Sequence, residues 1–171
     1  MMKILCFGSL NIDHVYKVDS FVKPGETKKC LEYDKTYGGK GLNQSVAIAK
    51  SGAHVYHAGK IGYEGIFLKE YLEKLNINTN YIDVTDTPTG HAIIQVNKKG
   101  ENSIVLFSGA NSKFTTKDIE NILCDFSKND YLLIQNEINN ISIIINIAYE
   151  IGMNIFFNPA QFLKVYGEKD D

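Results

Sequence analysis

The sequence predicts an α/β protein: a central, mostly parallel sheet flanked by helices, carrying a small β-sheet flap. Three observations predict it. From Thr115 onward, helical and extended patterns alternate α, β, α, β, which implies parallel strands under covering helices. The earlier part mixes such units with runs of period-two alternation that suggest antiparallel strands. The chain of 171 residues, 44% hydrophobic and 22% charged, is long enough for one globular domain with a real core and too short for two full ones.

In chain order, "KILCFG" (Lys3–Gly8) reads as a buried first strand, and "HVYKVDSF" and "ETKKCLEYDKTY" as the antiparallel strands. "GLNQSVAIAKSG" reads as a helix with Val46, Ala47, Ala49 and Lys50 on its stripe and Gly52 at the stop position. "HVYHAGKIG" is a strand. "GIFLKEYLEKLNIN" is an amphipathic helix with Phe67, Leu68, Tyr71, Leu72 and Leu75 on one face. "GHAIIQVNKKGENSIVLF" reads as a hairpin around "NKKGEN". "TTKDIENILCDF" is a helix capped by Thr115 or Thr116, with Asp118 in its first turn. "DYLLIQNE" is a buried strand, "NISIIINIAYEIG" a helix ended by Gly152, and "NIFFNPA" a further strand. The flap is built from about residues 14–36 and 89–107, with no repeat and no linker.

Composition narrows the function classes. The net charge of −2 offers no basic surplus for nucleic acid or anionic lipid. The apolar runs "ISIII" and "NIFF" are too short to span a bilayer, and "MMKILCFGSL" lacks the apolar region and cleavage site of a signal peptide. Cys6, Cys30 and Cys124 are far apart, without a C-x-x-C, and read as three reduced, buried thiols of a cytoplasmic protein. His54 and His57 fall in a strand pattern, where they point to opposite faces, so no metal site is expected.

Open parallel sheets bind ligands beyond the carboxyl ends of their strands. There the sequence supplies Asn11 and Asp13 after the first strand, Glu137 after "DYLLIQ", and Asn158 before Pro159 after "NIFF". A hydroxyl-rich ligand needs such a set, because a hydroxyl both donates and accepts. Each residue also has a plainer reading: Asn11 and Asp13 as turn or cap residues, Glu137 as a solvated loop residue, Asn158 as a turn former, Lys40 as a surface lysine.

"TYGGKGLNQS" (residues 36–45) enters its helix in the same region. It lacks the spacing and the Ser/Thr of a P-loop, and "GGKGLNQ" is not the G-x-G-x-x-G of a dinucleotide fingerprint. Close approach of a ligand to the main chain remains, with free helix N–H groups and with Lys40 and Asn43 adding side-chain contacts.

"GSLNIDH", "PGET" and "YGGKGLNQSVAIAKSGA", followed in order by "TPTGHAIIQVN", "GENSIVLFSGAN", "LLIQNEI" and "FNPA", resemble the ribokinase family of sugar and nucleoside kinases (PfkB-type carbohydrate kinases). The resemblance covers essentially the whole chain, and Gln44 leans toward the ribokinase branch. It implies a ribokinase-like core with a β-sheet lid that closes over the sugar. It also implies ATP- and Mg²⁺-dependent phosphoryl transfer to a sugar hydroxyl, with O5 of ribose as the acceptor and a possible K⁺ requirement. The substrate contacts it implies are Asn11 and Asp13 on ring hydroxyls, Gly39, Lys40, Gly41 and Asn43 of the glycine stretch, Glu137, and Ala92 and Ile94 on the sugar's apolar face.

One part of the pattern is absent. The aspartate–threonine stretch leading into Gly-Ala-Gly-Asp, which holds the aspartate base and the anion hole in the family, does not occur before the final "KVYGEKDD". The nucleotide half, the monovalent-cation site and the Asn-x-x-Glu segment are expected beyond Asp171. The expectation is therefore the N-terminal, sugar-binding portion of a kinase, inactive by itself, that binds no ATP, Mg²⁺ or K⁺ firmly. The alternative is a non-catalytic sugar-binding module, or a homodimer paired through its lid strands.

Overall fold

The computed structural model describes residues 2–159; Ala160 and the terminal "KVYGEKDD" lie outside them. Nine strands and four helices follow one another as β1 (Ile4–Phe7), β2 (Asn11–Lys17), β3 (Glu32–Gly38), α1 (Lys40–Lys50), β4 (Val55–Gly62), α2 (Ile66–Lys74), β5 (Asn78–Thr85), β6 (Gly90–Val96), β7 (Asn102–Phe107), α3 (Thr116–Leu123), β8 (Tyr131–Gln135), α4 (Ile141–Ile151) and β9 (Asn154–Asn158). They form two sheets, a five-stranded one ordered β5-β4-β1-β8-β9 and a four-stranded one ordered β3-β2-β6-β7.

All pairings in the five-stranded sheet are parallel. Alternation along β1 divides the core into two layers. Leu5 and Phe7 face α3 and α4, packing with Ile119, Leu123, Ile144 and Ala148. Cys6 faces α1 and α2, packing with Leu42, Leu68 and Leu72. The helix ends follow their residues. Thr115 caps α3 in a reciprocal box with Asp118, which satisfies two backbone N–H groups. Gly152 ends α4 in the left-handed conformation at φ 87°.

The smaller sheet holds the β6–β7 hairpin and the antiparallel β2–β3 pair. Its central pairing, β2 with β6, is parallel. Alternation suggested the antiparallel strands but not this parallel pairing, because strand direction between partners distant in the chain leaves no mark on local pattern. The sequence reading also missed β5, the edge strand "NTNYIDVT". Two asparagines and an aspartate blur its alternation, and its register against β4 shifts between Tyr56 and Ala58.

Two further expectations are corrected. In α1 the buried positions are Gly41, Leu42 and Ser45, with Val46, Ile48 and Ala49 packed beside them, while Ala47 and Lys50 are exposed. Of the three cysteines only Cys6 is buried; Cys30 and Cys124 are exposed free thiols on loops outside the core. Among the described residues, no helix is long and apolar enough to cross a membrane.

Candidate functional site

The chain leaves β1 at Phe7, crosses Gly8–Leu10 and enters β2 in the other sheet, so this connection lies at the carboxyl end of the five-stranded sheet. Helix α1 starts directly against it. Gly39, its N-cap, has φ 95° and no capping side chain. A Cβ there would stand 2.7 Å from the Ser9 carbonyl oxygen, so the position excludes side chains on both counts.

The unpaired N–H groups of the first turn find their partners outside the helix. Lys40 N–H donates to Glu137 Oε2 at 3.0 Å, Gly41 N–H to Ser9 Oγ at 3.3 Å, and Leu42 N–H to the Ser9 carbonyl at 3.0 Å. Ser9 Oγ donates to Glu137 Oε2 at 2.5 Å, and the Lys40 ammonium pairs with Glu137 Oε1. The Glu137 carboxylate thus occupies the positive end of α1, where a phosphate cradle would hold its anion. Burial pushes the Glu137 carboxyl up. The Lys40 side chain, the Ser9 hydroxyl and the Lys40 amide outweigh that and hold it below its ordinary value, ionised at neutral pH.

Asn11 and Asp13, two residues apart on β2, share one face of the smaller sheet. In register, Asn11 lies between Gly38 and Gly90, and Asp13 between Thr36 and Ala92. The glycines make room: a Cβ at Gly38 would stand 2.1 Å from Asp13 Oδ1, and one at Gly90 2.4 Å from Asn11 Oδ1. Ala92 and Ile94 continue this face on β6, Ala92 buried and Ile94 half-buried. Among the described residues nothing donates a hydrogen bond to the Asp13 carboxylate. Burial and then the charge of Glu137 push its pKa above the ordinary carboxylate value. An unsatisfied, half-buried carboxylate raised this way gains from any ligand that brings hydrogen-bond donors.

The structure therefore brings Asn11, Asp13, Gly39, Lys40, Gly41, Ala92, Ile94 and Glu137 to the junction of the two sheets. Asn43 is on the same helix but exposed, and among the described residues only its backbone is engaged, its N–H donating to Gly39 O at 3.0 Å. Asn158 ends β9, on the opposite side of β8 from β1. Four contributors escaped the sequence reading. Ser9 links α1 to Glu137. Gly38 and Gly90 clear space for the polar pair. Asn111 donates to Asn11 Oδ1 at 2.7 Å. The stretches that hold Ser9 and Asn111, "GSLN" and "SGAN", are visible in the sequence, but nothing local marks a serine or an asparagine as the partner of a residue some hundred positions away.

The described residues hold no ready-made metal cage. No group of three or more His, Cys, Asp or Glu among them could hold a metal ion. The helix terminus that could take a phosphate is filled by Glu137. His57 is buried in β4 and His54 exposed ahead of it. A cavity of about 760 Å³ opens at the opposite, amino end of the sheet, beside Lys3, Tyr56 and Asn78. His54, Glu73, Asn76 and Thr79 also line it, but it lies away from the carboxyl end, where open sheets bind ligands.

Comparison with known proteins matches residues 1–147 to the pfkB family of carbohydrate kinases. The chain is 40% identical over 162 residues to a ribokinase of Haemophilus influenzae, covering 90% of this chain and 52% of that protein. Its fold is similar to the crystal structure of a Thermotoga maritima ribokinase, with a TM-score of 0.81 at 38% identity, covering 94% of this chain and 53% of the other. It is also similar to an Arabidopsis thaliana ribokinase complexed with ribose and ATP, with a TM-score of 0.80 at 26% identity, covering 95% and 55%. The chain spans about half the length of the curated relatives it matches.

Proposed function

The chain belongs to the pfkB family of carbohydrate kinases, and from that membership we propose that it forms the sugar-binding part of an ATP-dependent sugar kinase whose acceptor is O5 of ribose. One observation carries the reading: an ionised Glu137–Lys40 pair and an undonated Asp13 carboxylate meet beneath the Ala92–Ile94 face. Carboxylates accept from sugar hydroxyls, Lys40 and Asn11 donate to them, and the alanine and isoleucine cover the apolar face of a ring. That a structural relative is complexed with ribose and ATP supports ribose as the ligand.

These residues bind and orient. Asp13 and Glu137 are committed to the sugar, and no residue placed here serves as the base that deprotonates the attacking hydroxyl. ATP, Mg²⁺ and any K⁺ belong, in this reading, to the part of the enzyme that the relatives' remaining length supplies. Two results are expected of the pure 171-residue chain. Ribose raises its thermal midpoint, and Asp13→Ala abolishes that shift. Ribose and ATP together yield no ribose phosphate. An unchanged shift in Asp13→Ala places the ligand elsewhere, and turnover by mass-verified protein overturns the division of labour.

A second reading rests on β7. This edge strand carries no charge, and Ile104, Val105, Leu106 and Phe107 are 47–66% exposed. Such an edge invites pairing. In this reading the chain dimerises through its lid strands, as a sugar-binding module. Light scattering after size exclusion is expected to return twice 19.2 kDa; a clean monomer removes this reading and leaves the first intact.

A further inference from the structure

We infer that Asn111 is a positioning residue that turns the Asn11 amide so that its NH₂ group, rather than its oxygen, faces the ligand. The subsite shared by Asn11 and Asp13 then pairs one donor with one acceptor and selects a hydroxyl, or two neighbouring hydroxyls, in a defined sense. The inference rests on the sugar-site reading above and assigns the polarity of that site.

Backbone groups have fixed donor and acceptor roles. Leu10 N–H can only donate, and it lies 3.0 Å from Asn111 Oδ1. The Leu10 carbonyl can only accept, and it lies 3.2 Å from Asn111 Nδ2. Together they fix which end of the Asn111 amide is oxygen and which is nitrogen. The second hydrogen of Asn111 Nδ2 is left for Asn11, 2.7 Å away. Its partner must be an acceptor, so Asn11 directs Oδ1 inward to Asn111 and Nδ2 outward. Asn111 is 1% exposed, and this triad uses both of its Nδ2 hydrogens.

Nothing among the described residues accepts from Asn11 Nδ2. Gly90 makes the triad possible, since a Cβ there would stand 2.1 Å from Asn111 Nδ2 and 2.4 Å from Asn11 Oδ1. On the same face of β2, Asp13 offers only acceptors. A hydroxyl satisfies both, accepting from Asn11 and donating to Asp13. A donor-only group such as an ammonium would meet the Asn11 hydrogens unfavourably, and a ligand with one hydroxyl removed would leave one of the two side chains unpaired.

The test uses side-chain amide NMR and ribose affinity on the 171-residue chain. In the ligand-free protein, the Asn111 Nδ2 hydrogens are expected to exchange slowly with solvent and those of Asn11 quickly. Equal or reversed rates overturn the orientation whether or not any sugar binds. With ribose, 2-deoxyribose and 3-deoxyribose, the wild type is expected to disfavour at least one deoxy sugar by about tenfold, the worth of one lost hydrogen bond to a charged or well-placed partner.

Asn111→Asp keeps the acceptor for Leu10 N–H and removes the donor to Asn11. It is expected to weaken ribose about tenfold and to erase that discrimination. An equal loss for all three sugars marks a purely structural role and overturns the proposal, as does retention of both affinity and discrimination. Should Asn111→Asp not fold, Asn11→Asp keeps the bond from Asn111 and replaces only the outward NH₂ with oxygen. Ribose affinity equal to wild type in Asn11→Asp overturns the inference. A wild type that responds to no sugar sinks the sugar-site reading instead, and the exchange rates still decide the orientation.

Discussion

Gly41→Ala is expected to cost about 3 kcal/mol of stability and to lower the thermal midpoint by about 10 °C, with loss of the ribose-induced shift. An added methyl would stand 2.5 Å from both Gly8 C and Ser9 N, and 2.7 Å from Gly8 Cα. All three are backbone atoms of the β1–β2 connection, so no side chain can swing away. Alanine would otherwise help a helix by up to about 1 kcal/mol over glycine, an effect that opposes the clash and is smaller than it. Relief requires α1 to lift off the connection. That movement breaks the Gly41–Ser9 and Leu42–Ser9 hydrogen bonds and displaces Lys40 from Glu137. Stability and binding are therefore expected to fall together in urea melts and ribose titrations of the same sample. A variant as stable as wild type that binds ribose normally would show that the connection yields, and would remove the claim that this backbone contact positions the site.

The same contact explains what was and was not legible in the residues. Helical periodicity made α2, α3 and α4 readable, and short apolar runs made β1, β8 and β9 readable: Leu68 and Leu72 of α2, and Ile119, Ile122 and Leu123 of α3, are buried as their spacing requires. The glycine stretch was legible as a close approach, assigned to a ligand, and at Gly41 it is the chain itself that approaches. Its partner is the backbone of Gly8 and Ser9 from the chain itself, which no local pattern records. Helix α1 misled for the same reason, because two of its three buried residues, Gly41 and Ser45, carry little apolar signal.

Side chains named from the strand ends reached the junction because parallel strands deliver their carboxyl ends to one edge. Ser9 and Asn111 did not emerge, because their importance comes from hydrogen bonds spanning 128 and 101 residues of chain. Gly38 and Gly90 matter through the volume they leave empty. Only the register of β3, β2 and β6 shows that they flank Asn11.

Acid is expected to destabilise the fold between pH 6.5 and about 4.5 through His57. This residue of β4 is fully buried beside Cys6 of β1. Its Nδ1 lies 2.7 Å from Ser45 Oγ, and its Nε2 has no hydrogen-bond partner among the described residues. Burial pushes its pKa from 6.5 down to about 4. A proton there would put a cation into the apolar layer between the sheet and α1. Below pH 6.5 the unfolded chain takes up that proton and the folded chain does not. Stability is therefore complete above pH 6.5 and declines as pH falls toward 4. The loss by pH 4.5 is on the order of 2–3 kcal/mol, a large part of the ~5–15 kcal/mol typical of a domain.

Other groups contribute less across this window. The carboxyls held below their ordinary values, Glu137, Glu64, Asp118, Asp130 and the exposed Asp19 and Glu26, begin to give up stability as pH falls toward those ordinary values and lose most of it below them. Asp13, raised above its ordinary value, acts with the opposite sign, since the folded state gains relative stability when it is protonated. His14 is shifted down by burial and by its neighbours His91 and Lys35, but it sits near solvent and adds only a small slope of the same sign. Urea unfolding at pH 7.0 and 4.5 measures the difference directly. His57→Gln is expected to be less stable at pH 7.0, yet to lose most of the pH dependence between those two values. A slope in His57→Gln equal to that of wild type would assign the acid lability to another group and show that the buried imidazole takes up its proton without cost.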